Sequence, residues 1–98
     1  MIRHIVSWQL AETEPAAKAR VAAEIASRLT ALVGVVDEIR SLRVDADVAG
    51  GTNWDVVLVA DFDDLAAVGR YQVHPAHQAA GTYIRSVVTA RMAVDILL

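Results

Sequence analysis

The sequence predicts a two-layer α+β domain: a four-stranded antiparallel sheet in β-α-β-β-α-β order, with its helices on one face. Three observations lead there. Four short segments read as strands, three by an alternation of apolar and polar residues that is imperfect in the first, and one as an apolar run. Two amphipathic stretches of helical period separate the first strand from the second and the third from the fourth. The third strand segment is apolar on both sides, which places it inside the sheet and leaves both sheet faces needing cover.

Along the chain, Ile2 to Leu10 sets Ile2, His4, Val6 and Trp8 on one side and Arg3, Ile5, Ser7 and Gln9 on the other, a strand with one drier face. A turn through Ala11 to Glu14 leads into a helix, with Thr13 as the expected N-cap and Pro15 in the first turn. Val21, Ile25, Leu29 and Leu32 form its buried stripe, and Gly34 is placed to end it. Ile39 to Val44 reads as the second strand, and the polar, glycine-bearing Asp45 to Asn53 as a loop. Trp54 to Phe62 is the doubly apolar strand, with Val56, Leu58, Ala60 and Phe62 opposite Val57 and Val59.

Asp63 or Asp64 caps the next helix, which turns Leu65, Val68 and Tyr71 inward. That helix breaks near His74, because the residue before Pro75 avoids helical geometry. Pro75 opens a new helical turn, and His77, Ile84 and Val88 share a stripe interrupted by Gly81. Arg91 to Leu98 is the last strand, with Met92, Val94, Ile96 and Leu98 on the helix side.

On the uncovered sheet face this reading places Ile5, Val57, Val59 and Leu97 centrally, with Arg3, Gln9, Arg43, Asp55, Asp61 and Asp95 around them. An apolar centre with a polar rim is interface anatomy, so a face-to-face homodimer is expected. The competing reading is a monomer whose half-polar face is wet.

The 98 residues hold one domain, spanning 1–98, and exclude a second. A chain 55% hydrophobic and 21% charged folds rather than staying disordered. Nine basic and twelve acidic residues give a net charge of −3 with no basic face, which excludes nucleic acid as an expected partner. No apolar run reaches the roughly 20 residues of a membrane span, and Met1-Ile2-Arg3-His4 lacks a signal pattern. With no cysteine there is no disulfide framework, and a cytoplasmic location is the default expectation.

Tyr71-Gln72-Val73-His74-Pro75-Ala76-His77, after a helix that follows a strand, combines with the opening Ile2-Arg3-His4-Ile5-Val6. Together these resemble the stress-responsive A/B barrel (Dabb) family, with its K/R-H-[IV]-V first strand and Tyr-x-x-His-Pro-x-His element. The resemblance runs over essentially the whole chain. It implies a ferredoxin-like protomer that pairs with a second copy into a dimeric α+β barrel. Family roles range from plant stress-associated proteins to polyketide cyclases, so membership implies a fold more firmly than a reaction. In the cyclase branch the second histidine of the element is the base of an intramolecular aldol-type ring closure, assisted by the tyrosine. The resemblance therefore implies His77 as base and Tyr71 as its partner, with His4 at the same pocket.

The residue types suit that chemistry. A histidine titrates near neutrality and can take a proton next to a carbonyl, while a tyrosine hydroxyl can bond the developing enolate oxygen. A substrate pocket between sheet and helices is expected to be lined by Trp8, Phe62, His74, Ile84 and Met92 and to suit an apolar or carbonyl-containing small ligand. The bland alternatives stay open: His74 organises the helix break, His77 is a core histidine bonded to Tyr71 or His4, and Tyr71 is an aromatic core residue.

No cofactor is implied. His74 and His77, with Asp61, Asp63 and Asp64 nearby in sequence, lack the continuous helix that would present a three-ligand metal site. Asp45 to Gly50 lacks the oxygen ligands of a calcium loop, and Gly50-Gly51-Thr52 lacks the lysine and following helix of a phosphate loop. Two functional classes remain in front: a cofactor-independent cyclase-like or isomerase-like enzyme, and a non-catalytic ligand-binding or structural dimer. An oxygenase role by analogy of architecture ranks last.

Overall fold

The computed structural model describes residues 1–98. Its elements run β1 (Ile2–Leu10), α1 (Pro15–Thr30), β2 (Ser41–Ala46), β3 (Val56–Phe62), α2 (Leu65–Val73), α3 (Pro75–Val87) and β4 (Val88–Leu97). The strands form one antiparallel sheet in the order β2-β3-β1-β4. Each helical crossover therefore passes over one intervening strand, which makes the fold ferredoxin-like.

β1 and β3 show why the sheet has one dry face. Ile2, Val6, Trp8 and Leu10 of β1 and Val56, Leu58, Ala60 and Phe62 of β3 are buried under the helices, and the residues between them are half-buried. α1 contributes Ala22, Ile25 and Leu29 to the same core, α2 contributes Ala67, Val68 and Tyr71, and α3 contributes Ala80 and Ile84. His4 is the one polar side chain buried among them.

Local chemistry corrects several boundaries. The N-cap of α1 is Glu14, not Thr13: its carboxylate accepts from the Ala16 and Ala17 amides at 3.1 and 2.9 Å. Glu14 directly precedes Pro15, and its long side chain reaches back over the first turn, while Thr13 stands one residue too early. The helix stops at Thr30, ahead of Gly34, as Leu32 and Val33 tighten the end with bonds to the Leu29 and Thr30 carbonyls. Gly34, at φ 84°, instead turns the connection that buries Leu32, Val36 and Ile39. β2 consequently starts at Ser41, two residues later than the alternation suggests, and Leu42 and Val44 still face the core.

Asp64, not Asp63, caps α2, accepting from the Ala67 amide at 2.8 Å. Leu65, expected in the core, is 63% exposed, because the buried face of α2 is set by Ala67, Val68 and Tyr71. The largest correction concerns β4. It begins at Val88, with no linker after α3, and pairs His4 with Asp95, Val6 with Ala93 and Trp8 with Arg91. Cross-strand partners share a face, so Arg91, Ala93, Asp95 and Leu97 lie on the helix side. Met92, Val94 and Ile96 lie on the outer face opposite Ser7, Ile5 and Arg3, the reverse of the expected assignment.

Phe62 is fully buried and packs on Tyr71 with ring centroids 4.9 Å apart. Phe62→Ala is expected to lower the unfolding free energy by about 3–5 kcal/mol, whereas Leu65→Ala should change it by less than about 0.5 kcal/mol. Urea unfolding of the two variants at equal protein concentration checks both values.

Candidate functional site

The break between α2 and α3 builds the centre of the site. In an uninterrupted helix the Ala76 amide would bond the Gln72 carbonyl, four residues back. Here His74 leaves the helix, with φ −61° and ψ 134°, and its Nδ1 accepts the Ala76 amide at 3.0 Å. The Gln72 carbonyl, released from that duty, receives the His77 Nδ1–H at 3.1 Å. A carbonyl only accepts, so the proton of neutral His77 sits on Nδ1 and the Nε2 lone pair is free.

Burial pushes the His77 pKa below its ordinary value, the Gln72 carbonyl pulls it up, and His4, Arg91 and Arg85 push it down further. His77 is therefore neutral near pH 7. Its ring lies 4.4 Å from that of Tyr71, centroid to centroid. Tyr71 is 1% exposed, and burial pushes its phenol up to about 12, so it is a hydroxyl donor across the physiological range.

His4 approaches from the floor. Its ring stands edge-on to Phe62 and Tyr71, each at 6.2 Å, and its Nδ1–H donates to Asp95 Oδ1 at 2.6 Å. Asp95 thus fixes the tautomer and ring orientation of His4 across the β1–β4 pairing.

These side chains meet at a cavity of about 150 Å³ whose wall includes His4, Trp8, Tyr71, His77 and Ile84, with Gln72, Arg85 and Arg91 supplying further polar groups. Of the expected pocket residues, Trp8 and Ile84 line it, beside His4, Tyr71 and His77. Phe62 stands behind the wall, supporting Tyr71 and His4. His74 does not line the cavity: its imidazole is spent on the helix cap. Met92 is on the opposite sheet face, displaced by the β4 register.

Sequence reasoning missed Asp95, Arg85 and Arg91. The signal for Asp95 and Arg91 was a strand starting at Val88, which alternation alone does not reveal after an apolar helix end. A larger, open depression of about 380 Å³ lies between the start of α1 and the β2–β3 loop. Of its charged groups, Lys18 and Asp55 pair at 2.8 Å, Asp55 also accepts the Leu10 amide, and Asp47 accepts from the Gly50 amide and the Asn53 side chain, so each carboxylate is already engaged.

The carboxylates near the histidines in sequence are otherwise engaged. Asp61 holds Arg3 in a two-pronged pair, Asp63 holds Arg40, and Asp64 caps α2. No three His, Asp or Glu side chains converge.

A four-stranded ferredoxin-like sheet with a histidine–tyrosine cavity beneath its helices defines a class, and comparison with known proteins narrows it. The chain belongs to the Stress responsive A/B Barrel Domain (Dabb) family, whose model matches residues 2–97. Among solved structures it is similar to a dimeric protein of unknown function and ferredoxin-like fold from Bacteroides fragilis, with 28% identity, a TM-score of 0.90, and coverage of 99% of this chain and 95% of that one. A dimeric ferredoxin-like protein of unknown function from Thermobifida fusca shares 28% identity and a TM-score of 0.82, covering 99% of this chain and 90% of that one. A hydroxynitrile lyase from Passiflora edulis aligns with a TM-score of 0.80 over 99% of this chain and 92% of its own, and at 11% identity it shares the fold alone. No curated protein matches the sequence.

The lowered His77 pKa links pH to stability. Above about 6.5, the ordinary value, folded and unfolded chains both keep His77 neutral; below it the unfolded chain takes a proton that the folded one resists. Stability is therefore expected to fall with pH below about 6.5 more steeply in the native chain than in His77→Gln. Urea midpoints between pH 7.5 and 5 check this, and an imidazole titration by NMR should place His77 below 6.5.

Proposed function

We propose that this protein is a homodimeric, cofactor-independent catalyst of proton transfer next to a carbonyl, of the isomerase or cyclase type, with His77 as base. The observation that carries the reading is the His77 Nδ1–H bond to the Gln72 carbonyl, which leaves a neutral imidazole with Nε2 unprotonated beside a neutral phenol. A base with that tautomer and a donor that stays protonated supply the two ends of an enolisation.

In the proposed step Nε2 takes the proton of a carbon next to the carbonyl. The C–H electron pair becomes the enolate double bond, and the carbonyl pair moves onto oxygen, where the Tyr71 hydroxyl bonds it. In an isomerisation the imidazolium returns the proton to a different carbon. In a ring closure the enolate carbon attacks a second carbonyl of the same molecule, and the imidazolium protonates the alkoxide that forms. His4, whose Nδ1–H is spent on Asp95, is a further polar group on the cavity wall, and its Nε2 accepts a hydrogen bond from a substrate hydroxyl. The cavity size suits a compact substrate: apolar cavities of about this volume accommodate a single benzene-sized ring.

The dimer reading rests on the outer sheet face. Ile5, Val57 and Val59 continue there into Met92, Val94 and Ile96, which are 38%, 45% and 39% exposed. The row Val59, Ile5 and Val94 is apolar across three strands, Val57, Met92 and Ile96 flank it, and Arg3, Asp61 and Arg43 border it with charge. The Bacteroides fragilis and Thermobifida fusca relatives are described as dimeric.

Light scattering should give twice the 10.5 kDa chain mass. Val94→Asp should reduce this to one chain mass while far-ultraviolet circular dichroism stays native, since a buried unpaired carboxylate opposes docking. A native chain that remains single at high concentration would remove the dimer from the reading. For the chemistry, deuterium exchange at carbons next to the carbonyl of a panel of small ketones is expected with the native protein. His77→Ala should lower it by roughly 100-fold or more and Tyr71→Phe by about 10–100-fold, with the dimer retained. Exchange that survives in both variants would remove the assigned roles and leave a ligand-binding dimer.

A further inference from the structure

The cavity around His77 is bordered by cations that nothing in the chain neutralises. Of nine basic side chains, Arg3, Lys18, Arg28, Arg40, Arg43 and Arg70 each hold a carboxylate. Arg20, Arg85 and Arg91 do not, and two of these three line this one cavity. The only side-chain hydrogen bond of Arg85 is a 3.3 Å contact to the Thr82 hydroxyl. The carboxylate facing the same side, Asp95, is committed to His4 at 2.6 Å.

Both guanidinium groups are aimed by the backbone. Arg91 stands opposite Trp8 in the β1–β4 register, on the helix side of the sheet. Arg85 lies back along α3 over Gly81, where an added Cβ would come within 3.1 Å of its guanidinium nitrogen. Glycine inside a helix is unfavourable by roughly 1 kcal/mol relative to alanine, and here the space it leaves is the space the guanidinium uses. A chain of net charge −3 thus presents a local positive site with two imidazoles and a phenol but no carboxylate on its wall.

We propose that the cavity selects small carbonyl compounds bearing an anionic group, a carboxylate or a phosphate, which Arg91 and Arg85 hold while the carbonyl end reaches His77 and Tyr71. The proposal rests on the reading of this cavity as a base-catalysed carbonyl site and names its substrate class. Guanidinium forks match carboxylate and phosphate oxygens in two-pronged geometry, and unpaired cations at a mouth draw anions in from solution. The same two cations stabilise negative charge as it develops on an enolate oxygen. An apolar or carbonyl-containing ligand with no anionic group would leave both of them without a partner.

Calorimetric titration of the native protein with benzoate, phenyl phosphate and the neutral benzamide tests the selection. At least one anion should bind about tenfold or more tightly than benzamide, and the tighter of the two identifies the headgroup. Arg91→Gln and Arg85→Gln should each weaken the anion by about tenfold and leave benzamide unchanged, whereas Arg20→Gln should alter neither. Benzamide binding as tightly as both anions, or an anion preference that persists in the Arg85→Gln, Arg91→Gln double variant, overturns the proposal. Absence of binding by all three probes overturns it as well. In each of these cases carbonyl proton exchange and its loss in His77→Ala judge the base assignment separately.

Discussion

A strand shows alternate side chains to opposite faces, so the pairing of His4 with Asp95 assigns the faces of β4 from Ala90 to Leu97 at once. A slip of one residue would bring Met92, Val94 and Ile96 beneath the helices and send Arg91 and Asp95 to the outer face. The observed register does the opposite on both sides. It gives His4 a carboxylate, gives the cavity a guanidinium, and carries the apolar row of Val59 and Ile5 on to Val94 at the sheet edge. The proposed interface and the proposed chemistry thus depend on one alignment, which the β-bulge at Gln9 and Leu10 accommodates near the end of the pairing.

The second determinant is a helix that fails in one place. Pro75 and the extended backbone at His74 interrupt the i to i−4 ladder, and the freed groups find new partners locally. The Ala76 amide goes to His74, and the Gln72 carbonyl goes to His77. His74 is thereby spent on the helix cap while His77 keeps a free Nε2 for the proposed chemistry, although they stand only three residues apart in one motif. Burial then keeps His77 neutral and Tyr71 protonated, so the same desolvation prepares an acceptor and a donor side by side.

Much of this was legible without coordinates. β1 alternates well enough to mark one drier face, β3 is a short run apolar on both faces, the stripe of α1 is regular, and the proline marks the break, so the ferredoxin-like order and the Dabb resemblance follow from local patterns. The grouping of His4, Tyr71, His77, Trp8 and Ile84 around one cavity was legible too. β4 was not, because it has apolar residues at both parities, Ala93 and Leu97 against Met92, Val94 and Ile96, and its period points to neither face. The Thr13 assignment failed for a related reason: capping depends on which side chain reaches the free amides, and Glu14 reaches two of them.

By itself the sequence determined the kinds of element, their order and the break before Pro75, since these follow from periodicity, turn chemistry and the fixed φ of proline, all properties of neighbouring residues. Only the tertiary structure decided which face of β4 turns inward, that Asp95 orients His4, that Phe62 backs the wall instead of lining it, and that Arg85 and Arg91 meet at one mouth. Those outcomes join residues as far apart as positions 4 and 95. Such contacts are set by strand register and by the space a small residue such as Gly81 leaves open, and neither is encoded in any local stretch of the chain.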